Sequence, residues 1–297
     1  MKDNLLKGHL LAIFTIIVWG TTFISTKILL RSFSPIEILL IRFILGFAAL
    51  AAIYPHRLKI KDKKQELTFA LAGLTGVCMY FLMENIALTY TTASNASVIV
   101  SSVPLFSVLL NYKNEKPSVG FFIGFVLSMA GICIISYGSA KMQINPLGDL
   151  LTLGAAVTWA VYSILTKKIS SYGYNMVQST RRIFLYGIIF MLPFALLMGF
   201  SPDIHSLLNG INIFNFVFLG FGASALCFVT WNNALKVLGP VTTCIYIYAQ
   251  PIITVVTSVL VLHEKITLPS AIGTVLTLAG LIISQQKFIF AKKIKAG

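Results

Sequence analysis

The chain has 297 residues and a formal net charge of +14, yet only 11% of its residues are charged and 57% are hydrophobic. Its mean hydropathy of +0.87 leaves too little polar surface to coat a water-soluble domain, so the composition excludes one and points to a bilayer. The basic excess sits in short connections between apolar stretches rather than in one patch, which excludes nucleic acid as the partner it serves.

A spanning helix needs about 20 mostly apolar residues, and ten such segments run end to end at 9–30, 36–54, 67–90, 93–111, 118–138, 148–167, 177–199, 211–235, 241–262 and 269–290. They are continuously apolar, which predicts helices and not the alternating strands of a barrel. The first span reads GHLLAIFTIIVWGTTFISTK from Gly8, with Thr15, Trp19, Thr22 and Thr26 on one stripe. Its MKDNLLKGHLL start has the basic opening and apolar run of a secretory leader, but a second copy of the same helix at Gly148 argues for a retained first helix. The second span carries Arg42 and the third carries Glu84 within YFLMENIAL. The connection between them, Ile53 to Leu67, has no room for a soluble domain. Ser94, Ser97, Ser101 and Pro104 share a face of the fourth span, and Gly124 and Gly131 share a face of the fifth. After the KMQINPLG boundary come Trp159, Tyr162 and Thr166 in the sixth span, Arg181 and Arg182 in the seventh, and Asn232 in the eighth. Thr243, Tyr246, Gln250 and Thr254 line one face of the ninth, which also holds Pro251; the tenth holds Gly273 and Gly280.

These features recur in order. Gly8, Trp19, Thr26 and Lys27 match Gly148, Trp159, Thr166 and Lys167 at a displacement of 140, and Arg42 meets Arg182 at the same displacement. At 147, Phe69, Gly73, Asn85, Ala87 and Pro104 meet Phe216, Gly220, Asn232, Ala234 and Pro251; at 149, Glu115, Lys116, Gly124 and Gly131 meet Glu264, Lys265, Gly273 and Gly280. The repeat spans five helices, 8–138 and 148–290. An odd number of crossings inverts the second copy, so the expected fold is an all-α integral membrane protein of ten transmembrane helices in two inverted five-helix repeats. Such symmetry lets one site between the halves open to either face in turn. Pro104 lies 11 residues before Glu115 but Pro251 lies 13 before Glu264, which predicts an early end or unwinding of the fourth helix at 111–114.

Sixteen of the 23 Lys and Arg fall on the side of the N-terminus, four (Lys27, Arg31, Lys141, Lys265) on the other, and three inside spans. The positive-inside rule then places both termini in the cytoplasm, and the plasma membrane is the expected location. Cys78, Cys133, Cys227 and Cys244 form no CxxC pair, the four histidines lie at helix ends or in loops, and no catalytic or phosphate-cradling motif appears. No enzyme activity, metal or cofactor is expected.

The VWGTTFISTK opening, the ASNASVIVSSVPLFSVLL segment and the TTCIYIYAQPIITVVTSVLVLHEKIT segment, in this order and duplicated, resemble the EamA branch of the drug/metabolite transporter superfamily across nearly the whole chain. The resemblance implies a secondary carrier without cofactor, many such carriers exporting amino acids, other metabolites or drugs. The leading expectation is a secondary active exporter of an amino-acid-like solute, coupled to protons by alternating access. A multidrug efflux carrier is the alternative within transport, and an integral-membrane enzyme or assembly factor the alternative outside it. Partners would be the solute, the lipid bilayer and, through the glycine faces, a second copy of the chain.

Candidate solute contacts are Trp19, Thr22, Asn85, Ser101, Trp159, Tyr162, Asn232, Tyr246 and Gln250, although small hydroxylated residues also serve simply to let helices pack closely. Candidate coupling or gating groups are Glu84, Arg42, Arg182, Pro104 and Pro251. Each proline removes an N–H and frees the carbonyl one turn back, near Val100 and Ile247. A carboxylate at the bilayer centre costs about 2.5–3.5 kcal/mol on insertion scales, so Glu84 requires a partner or a task. With Glu84 six residues before Tyr90 and Arg42 six residues after Ile36, both charges lie about 9 Å below the same boundary and can meet. They form either a static ion pair or a proton-exchanging carboxylate held by Arg42. The position matching Glu84 in the second half is Trp231, so packing does not demand an acid there.

Overall fold

The computed structural model describes residues 2–60, 62–112, 118–140 and 146–294, with side chains at 4–60, 62–112, 118–134 and 146–284. Ten long helices follow one another: α1 Lys2–Leu29, α2 Pro35–Ile53, α3 Lys63–Tyr90, α4 Ala93–Leu110, α5 Val119–Ala140, α6 Pro146–Ser170, α7 Met176–Met198, α8 Gly210–Leu238, α9 Pro240–Leu262 and α10 Leu268–Ile294. Among the described residues, eight have the length and hydropathy to cross a membrane; the other two, α5 and α10, carry apolar helix over Val119–Ile134 and Leu268–Ser284. With an even number of crossings the two termini share one face, called here the near side; the other face is the far side.

Local chemistry sets the helix ends. Pro35 begins α2 behind Ser34, whose N–H donates to the Glu37 carboxylate at 2.8 Å, a capping box that satisfies a donor the helix cannot. Asn175 caps α7, and Gly199 closes it with φ at 71°, a conformation that costs glycine nothing. The turn at Gly239, φ 83°, lets Pro240 open α9.

Four helices are interrupted. Helix α4 stops at Val100 and restarts at Val103, immediately before Pro104. Helix α9 passes through a 3₁₀ stretch at Ile245–Ala249 and resumes at Gln250, immediately before Pro251. Both prolines therefore sit one position into a new helical segment, where their missing N–H is harmless. Helix α3 contains a π-helical stretch at Leu74–Met79, and α8 contains another at Phe218–Leu226. These wide turns occupy matched positions of the two halves, and nothing in the hydropathy pattern announces them. Helix α4 ends at Leu110, with Asn111 and Tyr112 in a turn; Asn114, Glu115, Lys116 and the 141–145 stretch lie outside the described residues.

The same contacts are made twice. A Cβ on Gly46 would lie 3.1 Å from the Gly220 carbonyl and 3.2 Å from Ser224, and one on Gly187 would lie 3.3 Å from the Gly73 carbonyl and 2.2 Å from Val77. Matched contacts fix the displacement of α7 on α2 at 141. Ile183, not Arg182, therefore occupies the place of Arg42, a correction to the sequence alignment. The reason is local: α1 ends at Leu29 and α6 at Ser170, so the extra residue has entered before α7 begins. Helices α5 and α10 pack at a second close crossing, where Gly124 faces the Gly280 carbonyl and Gly131 the Gly273 carbonyl. These glycine faces are thus used within the chain.

Candidate functional site

Where the halves meet, aromatic side chains converge. Trp19 and Trp159, matched by the repeat, stand edge to face with centroids 5.2 Å apart; Phe81 and Phe228, also matched, lie 6.0 Å apart. The pseudo-twofold axis runs through these pairs. Beside them is a closed pocket of ≈ 20 Å³ lined by Trp19, Thr22, Tyr80, Phe81, Glu84, Val100, Trp159, Ile247 and Gln250. That is room for about one water.

Three of the four breaks in the backbone deliver residues to this wall. Val100 is the last residue before the α4 interruption and Ile247 lies within the 3₁₀ stretch of α9. The π stretch of α3 ends at Met79, immediately before Tyr80, Phe81 and Glu84, which line the pocket. Tyr80 and Phe81 escape the sequence reading because aromatic residues in an apolar run resemble core. The available signal was their spacing, four and three residues before Glu84, which puts all three on one helix face.

Glu84 is 5% exposed, and the Tyr80 hydroxyl donates to it at 3.4 Å. Arg42 is 1% exposed. Its Nε donates to the Ser224 hydroxyl at 3.1 Å, its guanidinium lies over the Phe81 ring at 4.4 Å and near Phe43 at 5.3 Å, and its Nη2 has no hydrogen-bond partner. Among the described residues Arg42 and Glu84 form no ion pair, and the guanidinium lies over the Phe81 ring. Among the described residues the ion pair is Arg182 with Glu66, at 2.5 Å and half-buried at the near side, where Tyr186 also donates to Glu66. Arg182 is remote from the central pocket.

The other candidates separate by direction. Trp19, Thr22, Trp159 and Gln250 line the pocket. The Trp19 indole donates to the Ala223 carbonyl at 2.9 Å, whereas the Trp159 indole N–H is buried without a partner. Asn85 instead donates to the Pro35 carbonyl at 3.2 Å. Tyr162 donates to Asn232 at 2.7 Å, and Asn232 to Thr180 at 3.0 Å. The Ser101 hydroxyl donates to the Val98 carbonyl at 2.5 Å, within its own helix. Tyr246 meets His9 at 2.6 Å, joining α9 to α1 towards the near side. None of these last five lines the pocket in this form.

A wider cavity of ≈ 530 Å³ opens on the far side between α1, α3, α4 and α9, lined by Lys27, Arg31, Leu88, Thr89, Thr92 and Glu264 among others. The same four helices contribute to the central pocket. On α3, Leu88 lies one turn beyond Glu84, so about one helical turn separates pocket and funnel.

Residues 6–137 and 146–285 each match the EamA-like transporter family. An uncharacterized transporter of Archaeoglobus fulgidus is 30% identical over 95% of this chain and 98% of its own length. A probable amino-acid metabolite efflux pump of Escherichia coli K12 is 26% identical, covering 98% and 99%. A probable terminal-alkyne amino-acid exporter of Streptantibioticus cattleyicolor is 24% identical, covering 93% and 92%. A solved crystal structure with 20% identity superposes with a TM-score of 0.67 over 94% of this chain and 98% of that one, a likeness of fold.

Proposed function

The chain belongs to the EamA-like transporter family, and from that premise we propose that it is a secondary active exporter of an amino-acid-like solute, driven by exchange for protons. The observation that carries this reading is the small pocket on the axis between the inverted halves, with Glu84 in a wall of Trp19, Tyr80, Phe81 and Trp159. A carboxylate among aromatic faces suits an ammonium group, held by charge on one side and ring quadrupoles on the other. The same carboxylate can hold a proton, so solute and proton take turns on it and each leaves as the other arrives. Names given to two relatives, an amino-acid metabolite efflux pump and an amino-acid exporter, support the solute class. We place the near side, with both termini, in the cytoplasm of the plasma membrane on the distribution of basic residues.

Alternating access then requires the half-helices of α4 and α9 to rock about Pro104 and Pro251, opening the pocket to one side as the other closes. Counterflow of radiolabelled amino acids into proteoliposomes tests the reading. Saturable exchange stimulated by an imposed pH gradient is expected, and absence of any amino-acid flux would overturn it. The aromatic wall also favours a second reading, efflux of lipophilic cations, which dye extrusion without amino-acid counterflow would support.

A further inference from the structure

Resting on the exporter reading, we infer that Arg42 is the carboxylate-binding group of this site, screened from the pocket by Phe81, so that the solute is a zwitterion held by Glu84 at its ammonium and Arg42 at its carboxylate. Arg42 is fully enclosed, yet the described residues offer it no ion pair; it has one hydroxyl, two ring faces and an Nη2 with no partner. A buried cation left this way is costly, and the fold does not need it. The matched contacts of Gly46 and Gly187 put fully buried Ile183 in the equivalent place, and the equivalent of Glu84 is Trp231. The second half makes the same helix crossing with apolar residues at both positions.

Two opposite charges, both confined to the first half, thus flank one ring. Phe81 lines the pocket beside Glu84 and lies beneath the guanidinium of Arg42. On this reading Phe81, packed against Phe43, Tyr80 and Phe228, must turn aside for Arg42 to reach the pocket. A simple amine would satisfy Glu84 and leave Arg42 orphaned; a simple acid would do the reverse. Only a ligand carrying both charges completes both partners, and a charge-assisted bond from a planar guanidinium to a carboxylate is the strongest available use of the free donor.

Isothermal titration of the purified full chain with leucine and phenylalanine, and with their decarboxylated amines isoamylamine and phenethylamine, tests this alongside counterflow in proteoliposomes. Wild type should prefer the amino acids by at least about tenfold, the value of one hydrogen bond to a charged group. Arg42→Gln, which keeps a donor for Ser224, should erase that preference by weakening the amino acids at least about fivefold more than the amines, and Arg42→Lys should recover part of it. Equal binding of amine and amino acid by wild type, or an undiminished preference in Arg42→Gln, overturns the assignment of Arg42 while leaving the exporter reading standing. Absence of binding and of counterflow for all four compounds overturns the exporter reading and this inference with it. Should Arg42→Gln fail to fold, the wild-type comparison and Arg42→Lys decide alone.

Discussion

Glu264 clasps Ser94 across the two halves of the molecule. Its carboxylate accepts the backbone N–H of Ala93 at 2.8 Å and of Ser94 at 3.2 Å, and the Ser94 hydroxyl at 2.8 Å. The α9–α10 connection thereby supplies the cap for the first turn of α4, whose orphan donors and positive end favour an anion. This clasp lies on the far-side funnel, directly over the thin barrier above the pocket. Glu264→Ala should lower stability by about 0.5–2 kcal/mol, the worth of a helix cap, and loosen the far side. In a cysteine-free background carrying Thr22→Cys, a membrane-impermeant thiol reagent applied from the far side should react severalfold faster in the Glu264→Ala variant. Equal rates would remove the gating role and leave only the cap.

Glu84 accepts from Tyr80, and it is the one carboxylate of the pocket wall. Glu84→Gln should fold, lose its response to an imposed pH gradient, and still exchange solute at equal pH on the two sides with a raised KM. A full response to the gradient would sink the proton role. Failure to fold, repaired by Arg42→Met, would instead show that the two charges stabilise each other.

Much of this architecture was legible because the bilayer imposes few patterns. Ten apolar runs of spanning length require ten helices, and the two prolines marked two of the four broken helices, at Val100 and Ile247. What stayed hidden depends on rotation about a helix axis rather than position along it. Depth alone brought Arg42 and Glu84 to one level, but they form no ion pair; the guanidinium lies over the Phe81 ring, two residues past the π stretch at Leu74–Met79. Arg182 matched Arg42 in sequence, yet one added residue ahead of α7 turns it towards Glu66 and puts Ile183 in the core. Asn85, Tyr162 and Asn232 fit a polar stripe equally well whether they face a pathway or one another.

The glycine crossings are predicted to be structural. A Cβ at Gly124 would lie 2.3 Å from the Gly280 carbonyl and one at Gly187 would lie 2.2 Å from Val77, whereas Gly210 has open space. Gly124→Ala and Gly187→Ala should each destabilise by roughly 1–3 kcal/mol through overpacking, while Gly210→Ala is neutral or mildly stabilising. Thermal unfolding in detergent reads the difference, and equal melting of all three variants would show that the crossings relax freely.

Orientation has its own test. With both termini cytoplasmic, as proposed from the distribution of basic residues, a phosphatase fused after Gly297 should be inactive and one inserted at Ser139 active. Activity at Gly297 would invert the assignment of near and far sides, and with it the direction in which the Glu264 clasp opens.

Asn232 separates a solute contact from a structural one. Its carbonyl oxygen accepts from the Tyr162 hydroxyl and its amide donates to Thr180, whose own hydroxyl bonds the Met176 carbonyl at 2.9 Å, so one buried chain ties α6, α8 and α7. All three side chains are fully enclosed. Removing the middle link by Asn232→Ala strands the Tyr162 hydroxyl away from water, at about 1–3 kcal/mol, and should lower the melting temperature by several degrees. The KM for counterflow should stay within about twofold of wild type, because a lost solute hydrogen bond would change affinity by more than that. Asn232→Asp keeps an acceptor for Tyr162 and should retain more stability than Asn232→Ala. A large rise in KM with an unchanged melting temperature would return Asn232 to the pathway, and would mean that α8 turns this face to the pocket in an open form.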